Sequence, residues 1–150
     1  MLYLGIKLVH IILAIVAVGF NISYGVWLAR AATASEHELY ILRGIKFLDD
    51  RFANPAYVLL LISGVLMVFV LPWPLTTFWI LAAIVLWVIT MGLGTGMYTP
   101  ALRRQIAALE TKGAASAEYQ ALAKRAQTVG MLIIIPLALI LILMVFKPAF

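Results

Sequence analysis

The chain has 150 residues, 65% of them hydrophobic and 11% charged, with a mean hydropathy of +1.10, a net charge of +5 and no cysteine. A chain this apolar has too little polar surface for water, so lipid must be the solvent for most side chains, and the length leaves no room for a separate soluble domain. The missing cysteines exclude a disulfide framework, a thiolate metal site and a cysteine nucleophile, and no motif points to nucleic acid.

The expected fold class is an all-α membrane protein: a four-transmembrane-helix bundle with an interfacial amphipathic helix and a cytoplasmic helical hairpin extension. A hydrocarbon core of about 30 Å needs roughly 20 helical residues, and four apolar runs approach or exceed that length. Spans are predicted at about 2–29, 55–71, 75–98 and 129–146, all within one domain, 1–150.

The first run carries Ala29-Arg30-Ala31 at cleavage-like spacing, but it is longer than the apolar region of a signal peptide and reads as a retained span. His10 lies nearly two turns inside it, where polar side chains are rare and usually face inward. At about 100° per residue, Asn21 falls within about 20° of His10, and Ala14, Ala17, Tyr24 and Gly25 fall near the same stripe, with Lys7 one turn outward. Three readings of this face stand open. His10 and Asn21 fix helix register by hydrogen bonds across the bundle; or His10 is an axial ligand to haem iron with Asn21 lining the pocket; or His10, Asn21 and Ser23 line a proton or solute path.

After the first run, Ser35-Glu36-His37-Glu38 has capping-box spacing, and Leu39, Leu42, Ile45 and Phe52 recur among charges as in an interfacial amphipathic helix. Asp49-Asp50-Arg51 reads as locally paired interfacial charge, the alternative being a metal or proton site. Asn54-Pro55 predicts a sharp helix restart into the second span. Pro72-Trp73-Pro74 is an uncharged connection. In the third run, Trp87 at mid-span suits packing or a ring-shaped ligand, and Gly92, Gly94 and Gly96 suit helix contact, within the bundle or between protomers.

Beyond Thr99-Pro100 a polar helix carries Arg103 and Arg104 and is expected to end at Gly113. Ser116 is placed to cap the last helix, which carries Lys124 and Arg125, enters the membrane near Val129 and is expected to bend at Pro136. Tyr3, Trp27, Tyr57, Trp73, Trp79, Tyr98 and Phe146 stand near run ends as interface anchors. The basic residues cluster between spans one and two and between spans three and four. The positive-inside bias therefore predicts those connections in the cytoplasm and both termini outside it. A second haem ligand would have to come from Met67, Met91, Met131 or Met144, which serve equally as packing residues, since His37 falls on the cytoplasmic side.

The order Lys7-x-x-His10, Asp50-Arg51-x-x-Asn54-Pro55, Gly64, Trp79, Tyr98-x-Pro100, Gly130 and Met144-Val145-Phe146-Lys147-Pro148 covers essentially the full chain. It resembles the bacterial predicted integral membrane proteins catalogued as domain of unknown function 2269. That family has no established activity, so the resemblance implies a fold and a bacterial inner (cytoplasmic) membrane rather than a function. More distantly, the first-span histidine and the entry from Arg51 to Pro55 are similar to CopD-like copper-resistance proteins and to haem-b-containing HemJ-type protoporphyrinogen oxidases. The second likeness implies haem b held by a first-span histidine, matched by His10, and a third-span lysine, in whose expected place stands Ala83.

The leading expectation is a non-enzymatic membrane protein, either a small accessory subunit of a membrane complex or a self-associating bundle, with no catalytic residues. Its partners would be the lipid bilayer and other membrane subunits or itself, and not nucleic acid. The principal alternative is a haem-b-binding redox protein using His10 as iron ligand and the Asn21 face as pocket. A small transporter is the third.

Overall fold

Apolar run length sets the helices of the computed structural model, which describes residues 1–31, 33, 35–71 and 73–148, the Ser35 side chain excepted. Among the described residues there are four long helices and no strand: α1 (Leu2–Ala31), α2 (Glu38–Val70), α3 (Phe78–Lys112) and α4 (Ala117–Phe146). Each is long and apolar enough to cross a membrane. Large apolar side chains face outward along them, with Ile15 at 67%, Phe69 at 70% and Ile135 at 59% exposure. Such faces are stable only against lipid or another apolar surface, as an integral, multi-pass membrane protein requires.

α2 and α3 run to 33 and 35 residues, about 50 Å each, so their polar ends extend well past a core of about 30 Å. The restart predicted at Asn54-Pro55 does not occur. Pro55 brings no N–H and crowds the preceding turn, and α2 accommodates it with one widened π turn, Asp49–Ala53, in which the Asn54 N–H bonds to the Asp49 carbonyl five residues back. α3 uses the same device ahead of Pro100: its π turn is Gly94–Tyr98, and the Thr99 N–H bonds to the Gly94 carbonyl. The segment expected to lie separately along the headgroups is thus the first part of α2, and its Leu42 and Ile45 are buried inside the protein. His37, which precedes α2, gives no side-chain cap. The Ser35 hydroxyl of the expected capping box, and Pro72 of the uncharged connection, lie outside the described residues.

The helices pack as two pairs. α1 lies along the apolar part of α2, and α3 lies along α4, while contacts between the pairs are sparse in the apolar half. At the basic end the pairs close on each other, where the first part of α2 packs on the last part of α3. The core concentrates there, around Leu42, Ile45, Ala53, Tyr98, Leu102, Tyr119 and Val129. A polar cluster outside the apolar segments ties the same end: Tyr119 donates to Glu38, and Gln105 Nε2 donates to the Tyr119 hydroxyl at 3.3 Å. Burial, and then the Glu38 carboxylate beside it, push Tyr119 up to about 12. Arg43–Glu110 at 2.7 Å and the Lys46–Asp50 and Lys112–Glu118 pairs are partly or largely exposed and contribute under about 1 kcal/mol each.

Gly113 ends α3 with φ of +77°, a conformation that other residues resist, and Ser116 Oγ accepts the Tyr119 N–H at 3.2 Å to start α4. Both were expected. Ser116→Ala should therefore lower stability by about 1 kcal/mol, read as a reduced thermal midpoint in detergent, while Thr111→Ala, on the exposed surface of α3, should leave it nearly unchanged. α4 continues unbroken through the buried Pro136.

Candidate functional site

Because the helix pairs meet at one end and part at the other, a cleft of about 720 Å³ opens between them in the apolar half. All four helices supply its walls, which are almost wholly apolar, and small side chains at Ala14, Gly19, Gly64 and Ala83 leave room where larger ones would fill it. Its polar features include His10, the Tyr3, Tyr57 and Trp87 rings, and two lysines, Lys7 and Lys147. Lys147 sits over the Trp79 ring, 5.3 Å from its centroid, and Trp79 meets Trp73 edge-on at 5.9 Å. This aromatic and cationic group marks the end of the cleft remote from the basic cluster.

His10 is seated by α2. Its Nδ1 lies 2.8 Å from Ser63 Oγ, and Ser63 Oγ is itself 2.7 Å from the Leu59 carbonyl. The Ser63 hydroxyl also lies 3.1 Å from the Leu60 carbonyl, and its one proton serves either these carbonyls or His10. Where it goes to a carbonyl, His10 Nδ1–H donates to Ser63 and Nε2 keeps its lone pair on a ring that borders the cleft, the tautomer an axial metal ligand needs. Gly64 makes the close approach possible: a Cβ there would stand 3.3 Å from His10 Cε1.

Asn21 shares the His10 stripe as expected and also faces α2, but it does not line the cleft. Its Nδ2 donates to the Tyr57 hydroxyl at 2.8 Å and to its own Ala17 carbonyl at 3.0 Å, so it positions a residue that does. Ser23 turns back to the Phe20 carbonyl at 2.8 Å. Trp87 lines the cleft and donates through Nε1 to the Tyr57 carbonyl at 2.9 Å, which joins α3 to α2 where the two otherwise scarcely touch. Of the four candidate methionines, Met67 and Met144 border the cleft, whereas Met91 packs on the core and Met131 faces outward. His37 is exposed at the opposite end. Among the described residues no three acidic or histidine side chains gather as a metal cluster.

The reading of Asp49-Asp50-Arg51 as locally paired interfacial charge holds for Asp50 and fails for Asp49, which joins a second polar group at the level of the π turns. Asp49 is buried and accepts from Thr99 Oγ1 at 2.8 Å and Asn54 Nδ2 at 3.2 Å, while its neighbour Asp50 pairs with Lys46 at the surface. The hydroxyls of Tyr24 and Tyr98 are buried without a hydrogen-bond partner among the described residues. Sequence reasoning missed Ser63, for want of any signal beyond one hydroxyl in an apolar run. The glycines Gly92 and Gly96 are exposed, and a Cβ at either would meet nothing within 4 Å among the described residues, so neither marks a close helix contact there.

No curated protein and no solved structure matches the chain. One family model does, over residues 4–148, nearly the whole length and including His10, both π turns and every wall of the cleft. The chain therefore belongs to the family described as predicted integral membrane protein (DUF2269).

Proposed function

We propose that the cleft binds a large, planar, mostly apolar cofactor, haem b, with His10 Nε2 as an axial ligand to the iron. The observation that carries this reading is the combination at one place of an apolar volume of about 720 Å³ and an imidazole whose Nδ1 is engaged by Ser63. A structural histidine needs the bond to Ser63, but it needs no cleft beside it. The thioethers of Met67 and Met144 stand on two further walls and offer a second ligand, and Lys7 and Lys147 give the rim the positive charge that carboxylate side groups would meet. Bound haem supplies one-electron transfer; the chain supplies the ligand, the apolar surround and the rim charge.

This promotes the redox alternative over the accessory-subunit expectation, which rests on the small size of the chain and accounts for no cleft beside His10. It also departs from the oxidase pattern at Ala83, which lines the cleft where the likeness expects lysine. The reading is a haem-binding membrane protein, without assignment of the oxidase reaction.

The test is an absorption spectrum of protein purified in mild detergent from haem-supplied cells, oxidised and then dithionite-reduced. The expected result is a Soret band that shifts on reduction and is lost in His10→Ala while the variant keeps its helical circular dichroism. A featureless spectrum from wild-type protein, with haem supply and retention verified, refutes the reading.

A further inference from the structure

Below the cleft, the two π turns meet across the bundle. Asp49 opens the first and Thr99 follows the second, and the hydrogen bond between them joins the two distorted turns. This buries a carboxylate whose hydrogen-bond donors, Thr99 and Asn54, are both neutral. Lys46, one turn back, places its ammonium on Asp50 instead. A buried anion held only by neutral donors is costly, and proteins relieve that cost by binding a proton or a cation.

Three tyrosine hydroxyls lie within electrostatic reach of it. Tyr24 from α1 and Tyr98 from α3 are 3% and 4% exposed, and neither hydroxyl has a partner among the described residues. Tyr57, further along α2, accepts its hydrogen bond from Asn21, which leaves the phenol proton free to be given onward. The Asp49 carboxylate acts electrostatically on all three. From α4, Gly130 faces the Tyr98 ring, a Cβ there falling 3.5 Å from Tyr98 Cε2, while Arg125 stands beside Gly96 and Met97 of the second π turn together with Arg104 of α3. The titratable groups around Asp49 are thus Tyr24 from α1, Lys46, Asp50 and Tyr57 from α2, and Tyr98 from α3. Tyr57 belongs to both regions, because its ring also lines the cleft.

We propose that Asp49 is a proton-binding group that exchanges protons between the basic end of the bundle and the cleft, through the hydroxyls of Tyr24, Tyr98 and Tyr57. A proton arriving from the basic end converts the carboxylate to the acid. When it passes on, each hydroxyl accepts one proton and releases its own, so one proton moves, the carboxylate is restored and nothing is oxidised or reduced. A buried water among the orphaned hydroxyls would satisfy them and close the gaps in this chain. Burial drives the Asp49 carboxyl up from its ordinary value and Asp50 adds to this, against the hydrogen bonds of Thr99 and Asn54 and the charge of Lys46. The inference needs the cleft as a space but does not depend on haem in it.

The chain contains only two aspartates, Asp49 and Asp50, so carboxyl-labelled aspartate in an Asp50→Asn background reports Asp49 alone. The experiment is an infrared pH titration of this protein in lipid nanodiscs, paired with Trp87 emission after Trp27, Trp73 and Trp79 are changed to phenylalanine. We expect an isotope-shifted carboxylic acid band with a midpoint above the ordinary carboxylate range. Trp87 emission should follow the same midpoint, and Tyr57→Phe should flatten the emission response while the band persists. Asp49→Asn should remove both signals, and the label keeps the band assignable if that variant fails to fold. A labelled carboxyl that titrates in the ordinary range, or Trp87 emission indifferent to its titration, overturns the proposal. A midpoint that moves with sodium at constant ionic strength overturns it too, in favour of a metal cation.

Discussion

Leu102→Ala should lower stability by about 2–5 kcal/mol, a large loss for one truncation. Leu102 and Leu42 are the largest side chains that are fully buried, and both lie at the basic end where the two helix pairs close. That end reaches beyond the apolar segments, so removing the side chain loses a water-driven burial and leaves a cavity as well. Ile135→Ala makes the comparison. Ile135 is 59% exposed on the outer surface of α4, and a helix separated within the bilayer keeps such a side chain in an equally apolar solvent. Its truncation should cost only a small fraction of the Leu102 value. Unfolding in mixed micelles of increasing sodium dodecyl sulfate, followed by circular dichroism, measures both. Equal losses at the two sites would contradict a bundle held chiefly at its polar end.

Gly64→Val should also have a large effect, and it should act on the site more than on the fold. A Cβ at this position already stands 3.3 Å from His10 Cε1, and valine adds two methyl groups to it. The imidazole must then move away from Ser63 and lose the orientation in which that hydroxyl holds it beside the cleft. Overpacking of this kind costs about 1–3 kcal/mol, and the loss of His10 orientation should remove most of the Soret absorbance under the proposed haem reading. Gly64→Ala should give an intermediate spectrum, because the ring need retreat by only a few tenths of an ångström. Ser63→Ala separates the two causes: it removes the hydrogen bond without adding bulk, so it should weaken ligand retention less than Gly64→Val does. Full pigment in Gly64→Val would show that His10 is not the ligand.

The four apolar runs were legible because lipid imposes one rule on every outward side chain, and little besides a membrane span calls for an uncharged run of about 20 residues. The His10–Asn21 stripe was legible for a similar reason: helical rotation is regular enough within one span to place both side chains toward α2. Helix continuity was not. Proline after asparagine or threonine normally marks a boundary, and a π turn has no local periodicity that would announce the exception at Pro55 and Pro100. Asp49 and Asp50 look alike in sequence, yet one extra residue in the turn sends the first inward to Thr99 and leaves the second with Lys46. The cleft is invisible in any one segment, since it is made by the separation of two helix pairs whose facing residues are apolar in either case.

The parted helix pairs also set the route by which an occupant arrives. Contact between α2 and α3 is sparse in the apolar half, and in a bilayer a gap between two such apolar helices is a slot on the acyl-chain side. A hydrophobic ligand would load by two-dimensional diffusion after partitioning into the bilayer, at a concentration set by the lipid phase rather than by the surrounding buffer. Its apparent aqueous affinity would then vary with the ratio of lipid to protein even though the cleft itself is unchanged.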